Sequence, residues 1–145
     1  MNIRKGKIED LKEITAIEAE CFPASEAATE ESFKGRLTVY PDYFWILEED
    51  GKIVSFVNGM VTDSPNLSDE MYENPHLHNP EGEWQMVFGV NTLPDYRKRG
   101  YAEKLLNEMI KDAKDKKRKG VVLTCKDALV HYYSKFGFSW RSDRV

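Results

Sequence analysis

Residues Gly100 to Lys117 place apolar side chains at Ala102, Leu105, Leu106, Met109, Ile110 and Ala113, the recurrence of a helix with one buried stripe. The β-rich run Trp84 to Val90 precedes this helix. Behind Gly120 follows the short apolar run Val121 to Cys125, the pattern of a buried strand. This strand–helix–strand unit constrains the fold more than any other stretch. Between its first strand and its helix the chain turns through Pro94 and presents Arg97, Lys98, Arg99 and Gly100. Free N–H groups and the positive end of a helix dipole make such a start an anion site. Gly100 lets the backbone approach a phosphate closely, and small Ala102 leaves room one step later. An ordinary basic loop ahead of a helix has the same composition, so the spacing alone leaves both readings open.

Met1 to Lys5 predicts a short strand ahead of Gly6. Ile8, Leu11, Ile14, Ile17 and Cys21 recur at helical spacing until Pro23 ends the pattern. Ser25 followed by acidic residues predicts an N-cap and a second helix through Phe33 and Leu37. Tyr43 to Leu47 and Ile53 to Val61 predict two strands joined by a hairpin at Asp50-Gly51. Asp63 to Gly82, interrupted by Pro65, Pro75 and Pro80, reads as a long loop, either a flap beside the substrate or a plain insertion. A helix from Leu129 to Phe136 and a final strand from Phe138 complete the order β-α-α-β-β-β-α-β-α-β. The fold class is α/β of the α+β type, a mixed central sheet flanked by helices, with residues 1–145 forming one domain.

With 145 residues, 41% of them hydrophobic, the chain can bury a core without disulfides or a structural metal. A net charge of -4 makes nonspecific nucleic-acid binding a poor fit. Cys21 and Cys125 lie far apart, which excludes a zinc ribbon or disulfide scaffold and fits a reducing compartment. Each is expected to pack as a small hydrophobe. A nucleophilic Cys125 would need a positioned base. No run approaches the ~18 apolar residues of a membrane span, and Met1 to Lys5 lacks a signal-peptide core, so the expected location is cytoplasmic.

The hexapeptide Arg97-Lys98-Arg99-Gly100-Tyr101-Ala102 fits an R/Q-x-x-G-x-G/A signature, and with its flanking strand and helix it resembles the GNAT superfamily of N-acetyltransferases. Cys21-Phe22-Pro23, and the segment from Cys125-Lys126-Asp127-Ala128-Leu129-Val130 through Tyr133 to Phe136-Gly137-Phe138, resemble the arylalkylamine (serotonin) N-acetyltransferases within it. The resemblance implies acetyl-CoA as cosubstrate. Backbone groups of Val90, Asn91 and Thr92 would meet the pantetheine arm. Arg97, Lys98, Arg99, Gly100, Tyr101, Ala102 and Glu103 would wrap the pyrophosphate. Tyr133, with Ser134 and Lys135 beside it, would sit near the thioester sulfur and protonate the departing thiolate.

Phe22 falls where that family places a substrate-contacting phenylalanine. Met86 and Phe88 stand where its animal members carry two proton-relaying histidines, and both are expected to line the amine pocket. Without those histidines the proton acceptor would be a water chain, Glu26, Glu83 or bulk solvent. A solvent acceptor makes the rate climb with pH, because an alkylamine of pKa near ~10 must first lose a proton. His76, His78 and His131 are expected to be solvated or packed. His76-x-His78 lacks the further ligands of a metal site, so none is expected. The charge run Lys114 to Lys119 suits a helix C-terminus. Trp45, Trp84 and Trp140 are expected in the core or lining a pocket.

Family members continue into another strand after Phe-Gly-Phe. That strand is expected either beyond a shortened chain or from a partner subunit in a homodimer. The functional expectation is direct acetyl transfer from acetyl-CoA to a small primary amine. Two alternatives stand beside it: another acceptor (polyamine, amino acid or peptide N-terminus), or a noncatalytic acyl-CoA-binding module.

Overall fold

The computed structural model describes residues 1–125 and 129–139. Strand β1 (Asn2–Lys5) leads through a 3-10 turn into α1 (Leu11–Cys21), which buries Ile14 and Ile17. Arg4 clamps the buried Asp10 carboxylate through two bonds of 2.8 Å and reaches Glu48 at 3.0 Å, fixing the entry to α1 against the sheet. Helix α2 (Glu30–Val39) starts later than the sequence suggests. Its cap is Thr29, whose Oγ1 accepts the Ser32 N–H at 3.1 Å, and not Ser25. The intervening residues turn because the N–H groups of Glu26 and Ala27 fold back onto the Pro23 carbonyl, while Ala28 donates to Glu18.

Strands β2 (Phe44–Glu49) and β3 (Lys52–Asn58) form the expected hairpin, with Asp50 and Gly51 at φ 51° and 79°. The chain continues as β4 (Val61–Thr62), α3 (Asp69–Glu73), β5 (Trp84–Val87), β6 (Gly89–Thr92), α4 (Tyr101–Asp115), β7 (Gly120–Leu123) and α5 (Val130–Ser134). One sheet runs β1-β2-β3-β6, all antiparallel. A second runs β4-β5-β7, in which β5 and β7 are parallel. Helix α4 packs Leu105, Leu106 and Met109 under the first sheet, and Phe33 of α2 meets Phe44 and Phe56 of its strands edge to face.

Two predicted strands each break in the middle. The run Ile53 to Val61 bends at Gly59 and Met60, and Trp84 to Val90 bends at Phe88, so each passes from one sheet into the other. Their backbones meet there: a β-carbon on Gly59 would stand 1.8 Å from the Met86 carbonyl oxygen. Glycine is the residue for so close an approach.

The stretch Asp63 to Gly82 is not a plain loop, since α3 and a 3-10 turn at Pro75–Leu77 lie within it and Met71 is buried. Strand β7 is less buried than its apolar run implies, with Val122 the buried residue of its four. Phe138 and Ser139 belong to no strand, and the rest of the expected final strand, with Trp140, lies outside the described residues. Trp45 is a core residue. No helix among the described residues is long and apolar enough to cross a membrane.

Candidate functional site

The bend at Phe88 opens a cavity of about 710 Å³ between the start of β6 and the end of β7, where Leu123, Thr124 and Cys125 line it. Its floor is the backbone from Val87 to Val90, and around it stand Phe22 after α1, Tyr72 on α3 and Tyr133 on α5. The fold thus gathers Phe22, Phe88, Val90 and Tyr133, which are far apart in sequence. Met86 does not join them. It is completely buried, because the break at Phe88 interrupts the alternation that would have put residues 86 and 88 on one face. The Phe88 ring lies against Tyr72, tilted by 35° with centroids 4.6 Å apart, and carries the Arg36 guanidinium 4.9 Å from its centre. Arg36, itself buried, donates to Asn58 Oδ1 at 3.0 Å and to the Tyr72 carbonyl at 3.1 Å, holding α3 against the bend.

Beside the cavity the chain leaves β6 toward α4. Lys98 and Gly100 both adopt left-handed backbone, at φ 66° and 77°. No side chain caps α4, and the N–H groups of Tyr101, Ala102 and Glu103 have no intrahelical acceptor. The space in front of Gly100 is open, with no atom within 4 Å of where a β-carbon would stand. Arg97 reaches back to the Thr92 carbonyl through Nε at 3.1 Å, and Cys21 Sγ meets the same oxygen at 3.4 Å. Arg99 lies over the Tyr96 ring at 4.9 Å. Asn91 is fully buried, its carbonyl accepting from Ser55 Oγ at 2.7 Å. Glu103 is ion-paired with Lys135, which ties the first turn of α4 to α5. Ser134 Oγ bonds the His131 carbonyl at 2.6 Å.

Burial pushes the half-buried Tyr133 phenol up to about 12, with Tyr132 and Cys125 adding in the same direction. Cys125 lines the same cavity. His76 and His131 are exposed. His78 packs between Tyr40 and Tyr43, each 4.8 Å away, and its Nδ1 accepts the Val61 N–H. Of the two carboxylates named from sequence, Glu26 lines the cavity, whereas Glu83 pairs with Lys119 at 3.2 Å outside it. Among the described residues no group of three His, Cys, Asp or Glu gathers as a metal site.

Sequence reasoning missed Glu18. This carboxylate is 7% exposed and lines the cavity from α1. The signal was present: Leu11, Ile14 and Cys21 set a helical stripe, and Glu18 falls on it as its charged member.

A match to the acetyltransferase (GNAT) family spans residues 11–138. The chain belongs to this family. The loading GNATL domain of CurA from Lyngbya majuscula is similar in structure, with a TM-score of 0.79 and 28% identity over 92% of this chain and 68% of that one. The GphF GNAT-like decarboxylase in complex with isobutyryl-CoA gives 0.77 and 25% over 96% and 73%. Serotonin N-acetyltransferase of Mesocricetus auratus is 30% identical over 103 residues, 70% of this chain and 48% of that protein. The chain thus spans about half the length of this curated relative. In the GNAT chain described here, Arg97 to Ala102 make the turn that opens α4, and the motif residues Lys126, Asp127 and Ala128 lie outside the described residues.

Proposed function

We propose that this GNAT chain transfers the acetyl group of acetyl-CoA to a small primary amine. The observation that carries the acceptor class is the charge of the cleft. Glu18, Glu26 and Asp69 line it, and among the described lining residues there is no Lys, Arg or His. Such a lining favours a cation, and the aromatic side chains Phe22 and Tyr72 suit an ammonium group and its apolar body.

The uncapped start of α4 fits a pyrophosphate: unpaired N–H groups, left-handed Gly100 with open space ahead of it, and the cations Arg97, Lys98 and Arg99. Val90, Asn91 and Thr92 lie along the route from that turn to the cavity, and the Thr92 carbonyl is held by Arg97 and Cys21. Acetyl-CoA supplies the activated carbonyl. Tyr133, kept protonated by burial, donates its phenolic proton to the sulfur that leaves.

The likeness to a GNAT-like decarboxylase favours a second reading, loss of CO₂ from a carboxyacyl thioester. The cleft argues against it, since a carboxylate entering there meets three others and no cation among the described lining residues. The test is thiol release from acetyl-CoA with a panel of primary amines, with mass detection of the acetylated amine. CO₂ release from malonyl-CoA without an amine would establish the second reading. Binding of acetyl-CoA with neither product would leave a noncatalytic acyl-CoA module.

A further inference from the structure

Glu18 is buried among apolar side chains of α1, a position that is unfavourable for a carboxylate unless it is well paired. Its pairing is half complete. Oε2 accepts the Ala28 N–H at 2.9 Å. Oε1 has no hydrogen bond of good geometry among the described residues and lies against Gly89, 3.7 Å from where a β-carbon there would stand. Gly89 and Glu18 both face the cavity that holds Tyr133. The side-chain amides of Asn91 and Asn58 lie around the same point beside Gly89 and are the neighbours that hold Oε1, so the one well-formed bond of this carboxylate is the one from Ala28.

We propose that Glu18 accepts the proton of the incoming ammonium group, an assignment that rests on the amine-acetyltransferase reading above. The ammonium passes one proton to the Glu18 carboxylate where that side chain lines the cavity. The nitrogen lone pair forms the new bond to the acetyl carbon, and the C–S bond breaks with its electron pair leaving on sulfur. The ammonium loses two protons in becoming an amide. The first goes to Glu18 and then to solvent. The second replaces the proton that Tyr133 gives to the thiolate. The carboxylate thus does from α1 what Met86 and Phe88, lacking a titrating nitrogen, do not do from the strand.

The groups facing Glu18 set the pH at which it works. Arg36 faces it from α2, Asn91 from β6 and the Ala28 N–H from the turn. Across the cavity stand Glu26, Asp69 and Tyr72, with Tyr133, Cys21 and Cys125. Burial raises its carboxyl above the usual carboxylate range, opposed by Ala28, Asn91 and Arg36.

The experiment is kcat/KM for one alkylamine between about pH 6 and 10, for wild type and Glu18→Gln, whose amide oxygen can still accept from Ala28. Wild type should be level past pH 8, with Glu18 already ionised to take the proton. The variant should fall roughly 10²-fold or more at pH 7 and climb close to tenfold per unit, as the amine (pKa ~10) deprotonates unaided. Trifluoroethylamine, already neutral at pH 7, should erase most of the variant's deficit. An equal deficit with both amines marks a structural role and overturns the assignment. So does a wild-type profile in the variant. A wild-type rate that keeps climbing tenfold per unit past pH 8 overturns it even where the variant does not fold. Wild type that binds acetyl-CoA yet releases thiol with no amine overturns the transferase reading itself.

Discussion

The side-chain amide of Gln85 donates to the carbonyl of Gly59 at 3.0 Å, and the same nitrogen reaches Met86 O at 2.8 Å. It supplies at the bend the bonding that the interrupted ladder does not. Because a β-carbon at residue 59 would stand 1.8 Å from a main-chain oxygen, Gly59→Ala must displace backbone. Its expected cost is about 3 kcal/mol or more in urea unfolding. Gln85→Ala should lose about 1–3 kcal/mol by leaving buried carbonyls unpaired.

Gly100→Glu puts a left-handed glutamate into the open space before α4. Acetyl-CoA binding should disappear in calorimetry while circular dichroism stays that of the wild type. Unchanged affinity in a folded variant would remove the anion-site assignment.

Tyr133→Phe deletes one hydroxyl and keeps the ring that packs near Tyr132 and Phe136. Steady-state kinetics should show kcat down roughly 10²-fold, with acetyl-CoA affinity little changed. With its phenol up at about 12, wild-type Tyr133 should contribute no alkaline loss of activity below about pH 10.

Burial, helped by Arg118, lowers the His78 imidazole to about 4. Unfolded, it titrates near ~6.5, so the unfolded chain binds the extra proton between those values. Stability from this group is therefore full above pH ~6.5, falls as pH drops toward 4, and levels off below. His78→Asn, which can still accept from Val61, should flatten that part of a plot of urea midpoint against pH.

The raised carboxyl of Glu18 has the opposite sign. The folded state holds its proton to higher pH than the unfolded chain, so stability from this group falls as pH rises through the titration. Glu18→Gln should accordingly be more stable than wild type at pH 7 by thermal melting, while turning over more slowly.

What the sequence made legible was local. Helix α4 and the Asp50-Gly51 hairpin follow from periodicity and turn chemistry within a few residues. The uncapped, glycine-led start of α4 was readable for the same reason. The bends at Gly59 and Phe88 were not, because they depend on Gly59 facing Met86 across another strand. Met86 was assigned to the pocket by counting along a strand that the structure interrupts. Ser25 had cap chemistry, but the Pro23 turn and the Glu18–Ala28 bond delay the helix to Thr29. Glu18 was visible as a charge in an apolar stripe, though its facing of Phe22 and Tyr133 across one cavity is a tertiary fact.

The opening beside Phe88 is made by main chain changing sheets, fastened by Gln85, and owes little to the bulk of the side chains around it. Phe22, Glu26 and Tyr72 hang over that opening from a turn and a short helix. Altering them reshapes the doorway without loosening its frame. On the proposed amine-transfer reading, discrimination among acceptors and resistance to unfolding would sit on different residues, so a library varied at Phe22, Glu26 and Tyr72 should sample new selectivities from one unchanged scaffold.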